Sequence, residues 1–198
     1  MAMTEASKMS VWTIGHSKHE SQALLDLLQA NNIQVLVDVR TAPYSKMAPQ
    51  FNQAALSSSL TDAGIRYLHM GKELGGRPDG DHMYDENGYV FYNLVAETEL
   101  FSSGIDRLIE GIEKFRVAIM CSEGNPDGCH RTLLVGRVLQ QHGVKVLNIL
   151  PNGETNELQD LNGSRSEQTL FGEEVEVKEW KSAVSVRQAT QPKDSLEY

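Results

Sequence analysis

Short apolar runs alternate with amphipathic helical stretches, and chemically versatile residues recur just after the runs. Together these observations predict an α/β domain with a mainly parallel sheet flanked by helices, a Rossmann-like three-layer arrangement. The run at 33–39, IQVLVDV, is apolar nearly throughout, as a strand covered on both faces should be.

Residues 9–14 read as the first strand and Gly15-His16-Ser17 as the turn after it. Ser17 followed by Glu20 has the spacing of a capping box, and Leu24, Leu25, Leu27 and Leu28 supply the buried face of a helix. The second strand, 33–39, ends in Asp38 and Arg40. The loop TAPYSKMAPQ contains two prolines and cannot stay regular for long. Residues 51–63 read as a helix closed by Gly64, a residue suited to the C′ position, and 65–69 as the third strand. The stretch 71–88 is glycine-rich and polar and reads as a lid or binding loop over the ligand, mobile or ordered by it.

Residues 91–115 read as one or two helices broken near Ser102-Ser103-Gly104. The strand at 117–120 leads into a polar turn, and Asn125-Pro126, a good N-cap and first-turn pair, starts the next helix. A last strand covers 144–150. The α/β domain is thus expected over 9–150. Residues 151–198 form an acidic extension with a candidate edge strand at 174–178, where valines alternate with charges.

Among 198 residues, 27 acidic and 18 basic side chains give a net charge of −9. The segment 152–180 holds eight acids and two bases, so it accounts for −6 and the main body is only mildly acidic. This argues against broad, salt-driven coating of nucleic acid, which needs a basic face, but leaves a local basic pocket open. No stretch approaches the roughly 18 apolar residues of a membrane span, and the N-terminus lacks a leader pattern. A soluble cytoplasmic protein without membrane contact is expected. In that compartment the two cysteines, separated by seven residues, read as free thiols, a catalytic or redox pair, or metal ligands.

Reactive residues follow four different strands: His16 and Ser17, then Asp38 and Arg40, then His69 and Gly71, then Cys121 and Glu123. Open parallel sheets bind ligands at the carboxyl ends of their strands, so Gly15, Asp38, Arg40, Cys121, Glu123 and Arg131 are expected to converge on one cleft. Cys121 reads as a nucleophile or a pocket wall, its thiol pulled down by the helix N-terminus and Arg131. Cys129 reads as a helix residue packed on the sheet.

Glu123, Asp38 and His130 are candidates for proton transfer, the alternative for Asp38 being a structural ion pair with Arg40 or Arg131. Arg40 and Arg131 offer donor forks for a phosphate or carboxylate. Gly15, His16 and Ser17 join them as ligand-binding positions, and Gly75 and Gly76 do so through backbone N–H groups. Cys121, Cys129 and His130, completed by His16 or Glu123, have the ligand types of a zinc site but lack paired C-x-x-C spacing. No metal ligand and no cofactor are therefore assigned.

TIGHS at 13–17, VDVR at 37–40 with Pro43 and Ser45 after it, GIRY at 64–67, LGG at 74–76 and MCSEGNPDGCHR at 120–131 resemble the uncharacterised family called domain of unknown function 488. The resemblance runs from about residue 12 to 150. It implies an α/β domain and no established reaction.

Two readings stand side by side. One is an enzyme, hydrolase or transferase, that binds an anionic, nucleotide- or nucleic-acid-like ligand at the C-terminal edge of the sheet. The other is a non-catalytic module that binds nucleic acid, a partner, or metal through its thiols. The tail run EQTLF at 167–171, with Leu170 and Phe171, resembles the bacterial sliding-clamp binding motif, with glutamate in place of the leading glutamine.

Overall fold

A computed structural model of the chain describes residues 9–161 and 180–186. The strands are β1 (Ser10–Gly15), β2 (Val35–Asp38), β3 (Arg66–His69), β4 (Val117–Cys121), β5 (Lys145–Ile149) and β6 (Thr155–Glu157). They form one sheet in the order β3-β2-β4-β1-β5-β6, parallel except for β6, which pairs antiparallel with β5. The helices are α1 (Ser21–Ala30), α2 (Gln53–Asp62), α3 (Gly71–Leu74), α4 (Tyr92–Ala96), α5 (Glu99–Lys114) and α6 (Arg137–Gln141), the last preceded by a wide π-helical stretch, Arg131–Gly136.

Strand side chains alternate between faces, so each strand feeds two cores. Val35, Val37, Val117 and Ile119 meet Phe101, Ile105 and Leu108 of α5 and Leu134 and Val138 of the last helical stretch. Trp12, Ile14, Leu36, Ala118 and Met120 meet Leu24 and Leu28 of α1 and Leu56 and Leu60 of α2. The result is the expected three-layer α/β arrangement.

Several local expectations are corrected. No capping box forms at Ser17: α1 begins at Ser21 behind Glu20, without a side-chain cap. Ser17 adopts φ 47° and donates its N–H to the Ser122 carbonyl at 2.9 Å, which ties the first turn to the loop after β4. Helix α5 runs unbroken through Ser102, Ser103 and Gly104; the break comes earlier, at Thr98, whose hydroxyl caps the Phe101 N–H. Gly104 is there to let α3 approach, since a Cβ at that position would lie 2.7 Å from the Glu73 Cβ.

The stretch 71–88 is not a free lid. It contains α3 and a 3₁₀ turn at Asp81–Met83, and it sends Leu74 and Met83 into the core beside Val90. Asn125 and Pro126 do not start a helix either. The Asn125 side chain accepts the Asp127 N–H at 3.0 Å and the Pro126 carbonyl accepts the Cys129 N–H at 3.1 Å, so the segment is a turn, and the helix begins only at His130 and Arg131.

The observed edge strand is β6; the expected one at 174–178 lies outside the described residues, as do Leu170 and Phe171. Residues 180–186 pack back on the domain. The Trp180 carbonyl accepts the Tyr92 N–H, the Ser182 N–H donates to Val90, and the Trp180 indole donates to Leu133 at 2.7 Å. Among the described residues, no helix is long and apolar enough to cross a membrane.

Gly15 pairs in register with Cys121, and a Cβ on it would overlap the carbonyl oxygen of Glu123. Gly15→Ala should therefore cost about 3 kcal/mol, the upper end for overpacking. Urea unfolding measures this; an unchanged midpoint would show that the loop yields.

Candidate metal centre and its cleft

Strand parity decides which side chains can meet. Cys121 shares the face of Val117 and Ile119, under the N-terminus of the last helical stretch, where Cys129 and His130 sit. The Cys121 thiol donates to Glu123 Oε2 at 2.7 Å, and the Cys129 thiol donates to the same oxygen at 3.2 Å. His130 Nδ1 lies 3.5 Å from Cys121 Sγ and 3.8 Å from Cys129 Sγ. The four donor atoms are all within 4.8 Å of one another. Cys129 was expected to pack on the sheet; its place at the helix N-terminus brings it into the cluster instead.

His130 Nε2 is 3.0 Å from the Val39 carbonyl, an acceptor, so Nε2 carries a proton and Nδ1 faces the sulfurs. Gly76 backs the ring closely: a Cβ there would come within 2.7 Å of His130 Cγ. Gly75 packs equally tightly on Thr41. Both glycines are buried packing positions, and of the two only Gly76 lines the cleft.

Electrostatics separate the two thiols. The hydrogen bond with Cys129, burial and the nearby Glu123 charge push Cys121 well above its ordinary value. This reverses the expectation of a lowered Cys121. Burial works against ionisation at Cys129 too, but hydrogen bonds from Cys121 and His130 and the charges of His130 and Arg131 pull it down. Burial opposes the charge of His130, yet its contact with Cys129 raises its pKa. Glu123 is held below its ordinary range, because the two thiol hydrogen bonds outweigh its desolvation.

Arg131 was expected to hold an anion. Its side chain is 1 % exposed, and its donors go to Thr13 Oγ1 at 3.3 Å, the Glu123 carbonyl at 2.6 Å and the Gly124 carbonyl at 3.1 Å. It is a buried brace under the loop. Among the described residues, no carboxylate lies within ion-pair distance of it.

Asp38 stands apart from the cluster. It pairs in register with Met120 and so points to the opposite face from Cys121. Its oxygens accept from Arg40 Nη2 at 2.6 Å, from Arg40 Nε and from the Tyr67 hydroxyl at 2.8 Å, the ion-pair alternative rather than a cleft acid. Burial and the Asp38 charge push the Tyr67 phenol up, which keeps it a donor.

Arg40 Nη1 reaches His16 Nε2 at 3.2 Å, so that nitrogen accepts and Nδ1 donates to the Ser17 carbonyl. Burial, with the Arg40 charge, lowers the His16 pKa and keeps the ring neutral. His16 stacks on Phe51 with centroids 4.6 Å apart. Gly15, His16 and Ser17 thus frame the site without lining the cleft.

The cleft itself has a volume of about 460 Å³. Arg40 and Thr41 after β2, Gly76 and Arg77 after α3, and Cys121, Ser122 and Glu123 from β4 line it. Its far wall is the segment at Ser182, Val184, Ser185 and Val186, for which no motif in the sequence stood out.

A sequence model of the family described as domain of unknown function DUF488 matches residues 20–138, more than half of the chain. No curated protein and no solved structure matches it.

The two thiols are almost equally covered, 3 % and 2 % exposed, so a difference in their reactivity reports ionisation. The lowered pKa of Cys129 and the raised pKa of Cys121 make Cys129 the readier of the two to ionise. Iodoacetamide mapped by mass spectrometry on metal-free protein at about pH 7 should therefore modify Cys129 first. Faster labelling of Cys121 would reverse the assignment.

Proposed function

The chain belongs to the DUF488 family, and we propose that it carries a zinc centre formed by Cys121, Glu123, Cys129 and His130 on the floor of a ligand cleft. The observation that carries this reading is the clustering of their four donor atoms. Tetrahedral zinc with bonds of about 2.0–2.3 Å spaces its ligand atoms roughly 3.3–3.8 Å apart. The sulfur–nitrogen separations of 3.5 and 3.8 Å match that spacing. The sulfur–oxygen separations of 2.7 and 3.2 Å are shorter than that spacing, so the Glu123 carboxylate would turn outward slightly to ligate.

Two further features support the reading. The Val39 carbonyl, accepting from Nε2 behind the ring, fixes the His130 tautomer and leaves Nδ1 as the atom able to ligate. Charge also balances: two thiolates, a carboxylate and a divalent cation sum to one negative charge, opposite the buried guanidinium of Arg131.

The cleft gives such a centre something to act on. Arg40 and Arg77 supply positive charge, and Thr41, Ser122 and Asn125 supply polar groups. The reading is therefore of an enzyme acting on a small anionic, nucleotide-like ligand by hydrolysis or group transfer. Glu123, the cleft-facing member of the four, is the ligand that substrate or water could displace, and the carboxylate so freed is the group placed to take a proton. A bound divalent cation would supply Lewis acidity there.

Zinc titration of the purified full chain against a competing chromophoric chelator tests the centre. One equivalent should bind. Cys121→Ser and Cys129→Ser should each lose at least ~100-fold in affinity, and Gly76→Ala, which displaces the His130 ring, roughly tenfold. Affinity should climb with pH, because Cys121 and His130, both with raised pKa values, must release protons to ligate. Failure to bind zinc at micromolar concentration by a folded chain would refute the centre.

A further inference from the structure

We infer that Cys121 and Cys129 form a reversible disulfide site whose oxidant is a small hydroperoxide; the coupling of this site to metal release rests on the zinc reading above. The two sulfurs meet a single carboxylate oxygen, Glu123 Oε2, at 2.7 and 3.2 Å, share the His130 ring at 3.5 and 3.8 Å, and hydrogen-bond each other. They are also the only cysteines of the chain, so neither has another intramolecular partner.

The two are tethered differently. Cys121 ends β4 and is pinned in register to Gly15 of β1. Cys129 sits in the turn that follows Gly124 and Gly128, and a Cβ added at Gly128 would meet nothing closer than the Ala183 Cβ at 3.8 Å. The Cys129 backbone is held by its N–H to the Pro126 carbonyl at 3.1 Å and by its carbonyl, which accepts the Leu133 N–H at 2.9 Å, so closing the bond falls to rotation of its side chain toward Cys121. Both thiols line the cleft yet are 3 % and 2 % exposed, which admits an oxidant of nearly the size of water and hinders a bulky disulfide.

The chemistry closes without another reagent. One cysteine sulfur attacks a peroxide oxygen; the S–O bond forms, the O–O bond breaks, and the departing hydroxide takes a proton to leave as water, giving a sulfenic acid. The second sulfur attacks the sulfenic sulfur; the S–S bond forms, the S–O bond breaks, and a second water leaves. The two sulfurs together give up two electrons, and the peroxide accepts them. A disulfide sulfur is a poor zinc ligand beside a thiolate, so His130 and Glu123 alone would remain to hold the cation, and it departs unchanged in oxidation state.

The test uses the full chain in two states, zinc-loaded and metal-free, each treated with hydrogen peroxide. Zinc release is followed with a chromogenic chelator, and the cysteines are mapped by mass spectrometry without reduction. The expected result is a Cys121–Cys129 cross-link with a loss of about 2 Da in both states. One zinc should be released per disulfide, and dithiothreitol should restore both thiols and zinc uptake. A chain that holds zinc but yields only singly over-oxidised cysteines, or keeps its zinc after the cross-link closes, overturns the switch and leaves the metal centre standing. A chain that never takes zinc yet closes the disulfide overturns the metal centre and its coupling while supporting the disulfide site.

Discussion

The guanidinium of Arg131 is the constraint around which this edge of the sheet is organised. It is buried, and its donors reach Thr13 in β1 and the carbonyls of Glu123 and Gly124, so one side chain joins a strand, the loop after another strand and the start of a helix. Neutral oxygens satisfy its hydrogen bonds but not its charge. An unmatched buried charge costs several kcal/mol, and the field of this one reaches Cys129, where it helps to pull the thiol's pKa down. Arg131 therefore draws charge into the cluster, while the cluster makes Arg131 tolerable. Gly15 is needed for the same reason, since the loop that Arg131 holds down lies where a Cβ would stand.

A second buried pair, Asp38 and Arg40, works on the other side of the sheet and meets the first only through Arg40. That side chain binds Asp38, the Phe51 carbonyl and His16, yet still lines the cleft. Its charge is matched by Asp38, which the Tyr67 hydroxyl holds in turn, and neither residue lines the cleft. The cation facing the cleft is thereby held in place by groups that lie outside it. Such a pair is held together by specificity of geometry more than by net stability, because desolvation offsets much of the attraction.

How much of this was legible beforehand depends on the range of the forces involved. The strands and the three layers follow from local apolar periodicity, and the convergence of Arg40, Cys121 and Glu123 follows from where the strands end. Parity between strands did not: that Asp38 aligns with Met120, and so faces away from Cys121, depends on inter-strand register, which no local pattern states. Asn125-Pro126 and Ser17 carry genuine cap chemistry, but both are claimed by loop contacts instead, Asn125 by Asp127 and Ser17 by Ser122. Gly104 looked like a helix break because its role, close approach of α3, comes from a segment about thirty residues away. Cys121, Cys129, His130 and Glu123 were visible as metal-ligand types; what kept them from being assigned was the lack of paired C-x-x-C spacing, which the turn before the helix makes up for by bringing the donors together.

The wall formed by residues 180–186 has a different status from the floor it faces. The four donor residues lie within the stretch that the family model matches, 20–138, and the wall lies outside it. Trp180 anchors that wall through the Leu133 carbonyl, Arg137 stacks over its indole at 4.6 Å, and the backbone pairs with Val90 and Tyr92, so these attachments are to the helix and the 90–92 segment rather than to a donor atom. Substitutions at Ser182, Val184 or Ser185 can thus redraw what the cleft admits while leaving the reactive centre untouched. On the proposed reading, chemistry and selectivity would be set by two separable parts of a single small fold.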